Sequence, residues 1–267
     1  MSAGPDLLGA MVAASWRRVD TARARRPLAE LGRLAARARP DAQGFWAHLQ
    51  RGGGVNVIAE CKRRSPSKGI LCADYDAPAI ARAYERAGAA AISVLTEPAF
   101  FDGRLDDLSH VRAAVSLPLL RKDFIVDEYQ VLEARAAGAS AVLLIAGALD
   151  DRALARLVRA CEDSGLASLV EVHDAAELAR AVGAGATIVG VNARNLRTLE
   201  VDPDVVLSLG DRIPGDVTAV AESGIRSAED IRALRAAGYD AFLVGERLVA
   251  AQDPGGALRG LIEDART

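Results

Sequence analysis

Eight short aliphatic runs, each followed by a helical stretch, punctuate this chain and limit what it can fold into. They are VNVIAE near residue 57, AAISVLT near 93, LPLLRKD near 120, SAVLLIA near 143, ASLVEV near 170, ATIVGVN near 189, VTAVAES near 220 and DAFLVGE near 243. Successive runs are separated by the length of one helix and two loops, which is the βα unit. They show little polar alternation, as strands covered by helices on both faces should. Several intervening segments end on glycine, at Gly88, Gly138, Gly165 and Gly238, where a left-handed residue closes a helix.

Eight such units can close into a barrel or lie as an open, doubly wound sheet, and periodicity does not separate the two. The polar residues do. Glu60, Lys122, Glu171, Asn192 and Glu222 each stand at or just past the C-terminal end of a different run. A barrel would converge them on one pocket, whereas an open sheet would string them along an edge. The expected fold class is therefore α/β, a (β/α)8 TIM barrel, and 267 residues suit the roughly 250 of one such unit. Residues 1–50 are rich in Ala and Arg, with apolar positions in LLGAMVAASWRRV and PLAELGRL at helical spacing. They are expected to form an N-terminal helical extension packed on the barrel. Glycines 52 to 54 mark the passage to a catalytic barrel over residues 51–267.

Composition narrows the function. Hydrophobic residues at 51% supply a large core, and a formal charge of -3 from interspersed acids and bases leaves no basic stripe. Nucleic acid is therefore not an expected partner. Cys61, Cys72 and Cys161 lack zinc or disulfide-framework spacing, so a reducing cytoplasm fits. Neither an export signal nor a membrane span is read.

Glu60 and Lys62 lie two residues apart, so one strand face carries both toward the barrel mouth. They are an acid and base pair or a strand-end ion pair of little consequence. The following loop, with Ser65, Ser67, Lys68 and Gly69, can surround an anion, although turns use the same residues. Lys122, in RKDF, is the leading general acid; a lysine among apolar walls and other cations is expected to have a depressed pKa. A solvated lysine is the bland alternative. Glu171, inside LVEV, is a candidate base because an unpaired carboxylate there needs a polar cavity; a buried structural pair with a lysine is the other reading. Asn192 and Arg194 share a face and suit substrate hydroxyls or a carboxylate; alternatively Asn192 ends the strand and Arg194 meets solvent.

Ser223 and Gly224, with Gly245 and Glu246, fall in the last two loops. Barrels commonly build phosphate sites there from close backbone N–H groups and a short helix. His173 is read as belonging to the start of the next helix rather than to the chemistry. No nucleophile triad, dinucleotide fingerprint or phosphate-binding P-loop is present, so no cofactor is expected.

The segments VIAECKRRSPSKG, SVLTEPAFFDG, LPLLRKDFIVDEYQ, AVLLIA, LVEVHD, GVNARNLRTLEVD, AVAESGI and FLVGE together resemble the indole-3-glycerol-phosphate synthase family of tryptophan biosynthesis. The resemblance covers every strand and is weaker in the N-terminal helices. It implies a carboxy-lyase that closes the ring of 1-(2-carboxyphenylamino)-1-deoxyribulose 5-phosphate, with loss of carbon dioxide and water. By that resemblance Lys122 is the general acid on the carbonyl and Glu171 the base in dehydration. Lys62 is the carboxylate contact and a second acid, and Glu60, Asn192 and Glu222 orient these groups. Ser65, Phe124, Arg194, Ser223, Gly224, Gly245 and Glu246 are substrate or phosphate contacts, with Phe124 walling the aromatic part. Arg247 stands where a small residue is usual and Cys61 where an aliphatic one is; Cys61 should point away from the pocket.

The implied partner is a small phosphorylated aromatic substrate, and the implied state a monomer or weak homo-oligomer. Another phosphate-binding barrel, such as a phosphoribosyl isomerase, would share the last glycine loops without requiring Glu60, Lys62, Lys122 and Glu171 together. A non-catalytic pathway scaffold would not need the acids and bases at all.

Overall fold

The computed structural model describes residues 6–52 and 54–266, so residues 1–5 of the expected extension and Gly53 of the glycine passage lie outside the described residues. Eight parallel strands close a barrel in sequential order: β1 Asn56–Cys61, β2 Ala91–Leu95, β3 Leu119–Lys122, β4 Ala141–Ile145, β5 Ala167–Val172, β6 Ile188–Asn192, β7 Thr218–Glu222 and β8 Ala241–Val244, with β8 paired back to β1. Each falls on one of the eight runs read above. A helix follows every strand, from Ala77–Arg86 to Pro254–Asp264.

Local chemistry starts and stops those helices. Asp76, Asp127, Asp150, Asp174, Asp202 and Asp253 each accept a backbone N–H of the first turn, supplying a partner for a donor that the helix itself cannot satisfy. The four glycines expected to close helices all have positive φ, from 66° to 93°, a region that costs other residues strain.

Strand alternation divides the core in two. Val57, Ala59 and Cys61 face outward into the cluster between barrel and helices, so Cys61 points away from the cavity as expected. Ile58, Leu120, Leu143, Leu169, Ile188, Val220 and Leu243 fill the barrel interior. Toward the C-terminal end the inward positions become polar or glycine, with Glu60, Lys122, Glu171, Glu222 and Gly245 two residues beyond these and Asn192 beyond Gly190. Apolar burial, worth about 1.5–3 kcal/mol per large side chain, thus fixes a rigid floor beneath a polar layer.

The extension packs on both ends of this barrel. Helix α3, Ala42–Leu49, sets Phe45 and Leu49 against the interior cluster, and Asn56 Nδ2 donates to Leu49 O at 2.8 Å and Asp240 O at 3.0 Å. Helix α1, Leu7–Arg25, lies at the catalytic end, where Ser15 Oγ donates to Phe124 O and Arg18 bonds both oxygens of Asp123. Between them α2, Leu28–Ala35, buries Leu31 with Val126 and Tyr129. No helix among the described residues is long and apolar enough to cross a membrane.

Candidate active site

A cavity of about 610 Å³ opens at the C-terminal ends of the strands. Glu60, Lys62, Lys122, Phe124, Glu171, Asn192, Arg194, Glu222, Ser223, Gly224, Gly245 and Glu246 all line it. Ser65 does not. Its Oγ accepts the Lys68 N–H at 3.2 Å and lies 3.5 Å from Ser67 Oγ, inside the short ladder formed by Arg64–Ser65 and Gly69–Ile70. That turn occupies Ser65 and turns Ser67 and Lys68 to the cavity in its place.

Lys122 is the centre of the polar layer. Its Nζ donates to Glu171 Oε2 at 3.0 Å and Glu222 Oε2 at 2.9 Å, and both carboxylates are buried. Parallel register brings the strand ends level, pairing Asn192 with Glu222 and Ile145 with Glu171. The depressed lysine pKa expected from the sequence is overturned. Burial alone would lower it, but the charges of Glu171, Glu222 and Glu60 outweigh burial and hold the ammonium above its ordinary value. The neighbouring cation that prompted the expectation, Arg121, faces outward and is neutralised by Asp123 at 3.1 Å and Glu133 at 3.2 Å.

The two carboxylates respond oppositely. Burial would raise Glu171, yet Lys122, His173 and Asn192 hold it well below the carboxylate range. Burial pushes Glu222 up, and the charge of Glu171 adds to that against the pull of Lys122, so that Glu222 rises to about 7. One cation between two carboxylates favours one ionised and one nearly neutral partner. Across the cavity, Lys62 Nζ pairs with Glu60 Oε1 at 2.5 Å.

Two glycines make this layer possible. A Cβ at Gly190 would fall on Glu222 Oε1, and one at Gly245 would fall on the Glu60 carboxylate. At the rim, Ser223 and Gly224 are consecutive residues with positive φ, 65° and 73°; left-handed backbone at a non-glycine residue is uncommon and concentrates at ligand-holding loops.

Charged groups surround these loops. Lys68 pairs with Glu246 Oε1, Arg194 Nη2 lies 3.6 Å from Glu246 Oε2, and Arg194 Nη1 donates to Ser67 Oγ at 3.3 Å. Arg247 is exposed on the same wall. The opposite wall is apolar: Phe124 and Phe101 stand with ring centroids 6.4 Å apart, beside Leu143, Ile145 and Leu196. Phe101 was not singled out from the sequence; it rides a one-turn helix, Pro98–Phe101, capped by Glu97, which no strand parity reveals. His173 was assigned to the next helix, and does bond Glu177 there, but its Nε2 also lies 3.4 Å from Glu171 Oε1.

The arrangement combines proton donors, carboxylates, an aromatic wall and a cationic, glycine-containing rim around one space. Comparison with known proteins agrees with it. The family model described as indole-3-glycerol phosphate synthase matches residues 8–261. The chain is 53% identical over 239 residues to indole-3-glycerol phosphate synthase 1 of Streptomyces coelicolor, covering 90% of this chain and 88% of that one. It is 48% identical over 259 residues to the indole-3-glycerol phosphate synthase of Leptothrix cholodnii, covering 96% and 98%. Among solved structures, orotidine 5'-phosphate decarboxylase from Pyrococcus horikoshii superposes with a TM-score of 0.60 at 14% identity, covering 79% of this chain and 99% of that one; this likeness speaks to the barrel alone.

Proposed function

The chain belongs to the indole-3-glycerol phosphate synthase family, and from that premise we propose that its cavity closes the indole ring of 1-(2-carboxyphenylamino)-1-deoxyribulose 5-phosphate, releasing carbon dioxide and water. The observation that carries this reading is Lys122, a charged donor fixed between Glu171 and Glu222 and facing the same cavity as Lys62.

The substrate has an aromatic carboxylate at one end and a phosphate at the other. In this reading the ring lies against Phe124 and Phe101, with its carboxylate on Lys62, and the phosphate on the rim among Ser223, Gly224, Gly245, Glu246, Arg194 and Lys68, which Ser65 holds in its turn. The reacting ketone then falls near Lys122.

Lys122 protonates the carbonyl oxygen as the ring carbon bearing the carboxylate attacks. The C–CO2 bond breaks and its electrons restore aromaticity. Lys62 gives a proton to the departing hydroxyl, and Glu171 takes one from the carbon beside nitrogen. Glu222 keeps Lys122 oriented, Glu60 does the same for Lys62, and Asn192 supports Glu171. General acid–base groups of this kind contribute about 10²- to 10⁴-fold each.

Identity near one half across nine-tenths of the chain favours this activity over a phosphoribosyl isomerase or a scaffold without catalysis. We further read the protein as cytoplasmic, a monomer or weak homo-oligomer, without nucleic-acid partners. Indole fluorescence from purified chain and substrate tests the assignment: turnover in the parent, and its loss in Lys122→Ala, are expected. An active parent whose rate survives Lys122→Ala would remove the mechanism.

A further inference from the structure

Glu171 meets a basic group on each of its two oxygens, one inside the cavity and one behind its wall. Oε2 accepts from Lys122 Nζ at 3.0 Å, while Oε1 faces His173 Nε2 at 3.4 Å; these last two atoms are buried and have no other hydrogen-bond partner among the described residues. On the far side of the ring, Nδ1 lies 3.1 Å from Glu177 Oε2, which also accepts the His173 backbone N–H at 2.9 Å. Glu177 belongs to the outer helix Ala175–Gly183. Gly147 leaves room for its carboxylate, since a Cβ there would stand 2.6 Å from Glu177 Oε1. His173 is absent from the cavity lining, so its ring meets carboxylates and not substrate.

A neutral imidazole carries one N–H and one lone pair. Set between two carboxylates, it would turn that lone pair on one of them, whereas the doubly protonated ring presents an N–H to each. The charges that face the ring are those of Glu171 and Glu177. Burial would lower the imidazole pKa, but those carboxylates raise it to about 10. Glu171 in turn is faced by Lys122 from β3, by Asn192 from β6 and by His173, with Glu222 from β7 on the other side of the lysine.

The two cations differ in one respect: Lys122 discharges during the reaction proposed above, and His173 does not. When Lys122 gives its proton to the ketone oxygen, a buried carboxylate with no other cation would keep the next proton it met. We propose that His173 is a positioning residue that stays charged throughout turnover and, from behind the cavity wall, keeps Glu171 ionised and aimed while Lys122 is neutral. This role rests on the proposed ring closure. Glu171 takes the proton from carbon, a C–H bond breaking as an O–H bond forms, and returns it to Lys122, the O–H bond breaking as an N–H bond forms. The imidazolium favours that return, because a cation beside Glu171 opposes a neutral carboxyl group. His173 itself passes no proton, and the one that Lys62 gives to the hydroxyl is replaced from solvent.

The test compares the parent with His173→Gln, which keeps an amide donor beside Glu171 without the charge. Loss of the cation should move the kcat/KM inflection of the Lys122–Glu171–Glu222 cluster, near 7 in the parent, upward by about one pH unit or more. The parent-to-variant ratio of kcat/KM should therefore reach about tenfold on the acid side and close on the alkaline side, with KM nearly unchanged there. Glu177→Gln, which leaves the cavity and Glu171 untouched, should move the inflection in the same direction by less, and covers the case in which His173→Gln does not fold. Nitrogen NMR reads the charge without turnover: at neutral pH the His173 ring should show two protonated nitrogens. A neutral ring at that pH, or a profile that is unchanged or lowered equally at every pH in each variant that folds, would overturn the role of His173 while leaving ring closure intact. A parent that forms no indole product would overturn both.

Discussion

Glu171 and Glu222 share a single ammonium: Lys122 Nζ stands 3.0 Å from Oε2 of the first and 2.9 Å from Oε2 of the second. Each carboxylate therefore sets the charge of the other. A cluster built this way titrates as a unit, with Glu222 at about 7 while Glu171 stays ionised.

The pH profile follows. Plots of kcat/KM should contain an inflection near 7 that belongs to the Lys122–Glu171–Glu222 cluster, and Glu222→Gln should abolish it. The same shift has a sign in stability. The folded pKa lies above the ordinary 4.5, so the native state holds the extra proton in that interval and stability falls as pH rises from 4.5 toward 7. Urea midpoints of parent and Glu222→Gln across that range measure it; parallel curves would count against the shared proton.

The glycines beneath the carboxylates give a second expectation. Gly245→Ala places a methyl group against Glu60 and must push it off Lys62. The barrel should persist, because the collision is with a side chain in an open cavity, while kcat falls by about tenfold or more as Lys62 loses its orienting partner. Circular dichroism and turnover on the same sample check both halves; a fully active variant would show that the Glu60–Lys62 pair is dispensable.

Strand ends were legible in the sequence because burial on both faces leaves aliphatic runs, and because a polar residue inside such a run has few places to face except the cavity. Hence Glu60, Lys122, Glu171, Asn192 and Glu222 came together as expected. The charge state of Lys122 was not legible: it depends on which neighbours point inward, and Arg121, adjacent in sequence, points out while Glu222, a hundred residues away, points in. Ser65 and Phe101 were misjudged or overlooked for a related reason. Their directions are set by turns and a short helix, where strand parity gives no guide.

Arg247 supplies a third expectation. It is exposed on the cavity wall next to Glu246, and no ion pair engages it among the described residues. A cation at that rim attracts each unit charge of a phosphate by about 1 kcal/mol at contact even through water. Arg247→Ser should therefore raise KM several-fold with kcat nearly unchanged, and the effect should shrink at high salt. A lower KM in the variant would mean that the arginine obstructs the phosphate.

The final expectation concerns how far from the cavity its geometry is secured. Asp123 follows Lys122 directly and is fully buried; its carboxylate is held by Arg121, by Thr96 Oγ1 at 2.6 Å and by Arg18 from helix α1. Burial would raise Asp123, but Arg121 and Arg18 hold it below its ordinary 3.8. A carboxylate depressed in the folded state contributes stability that is present above that ordinary value and lost as pH falls below it. Arg18→Ala removes one of the partners and leaves the charge buried, a change worth about 1–3 kcal/mol. The loss should appear in full at pH 7 and fade below pH 3.8, because protonated Asp123 no longer needs the guanidinium. Since α1 also holds Phe124 O through Ser15, kcat should drop together with stability at neutral pH. Urea unfolding at several pH values decides the matter: a destabilisation equal at every pH would assign Arg18 a packing role rather than an electrostatic one.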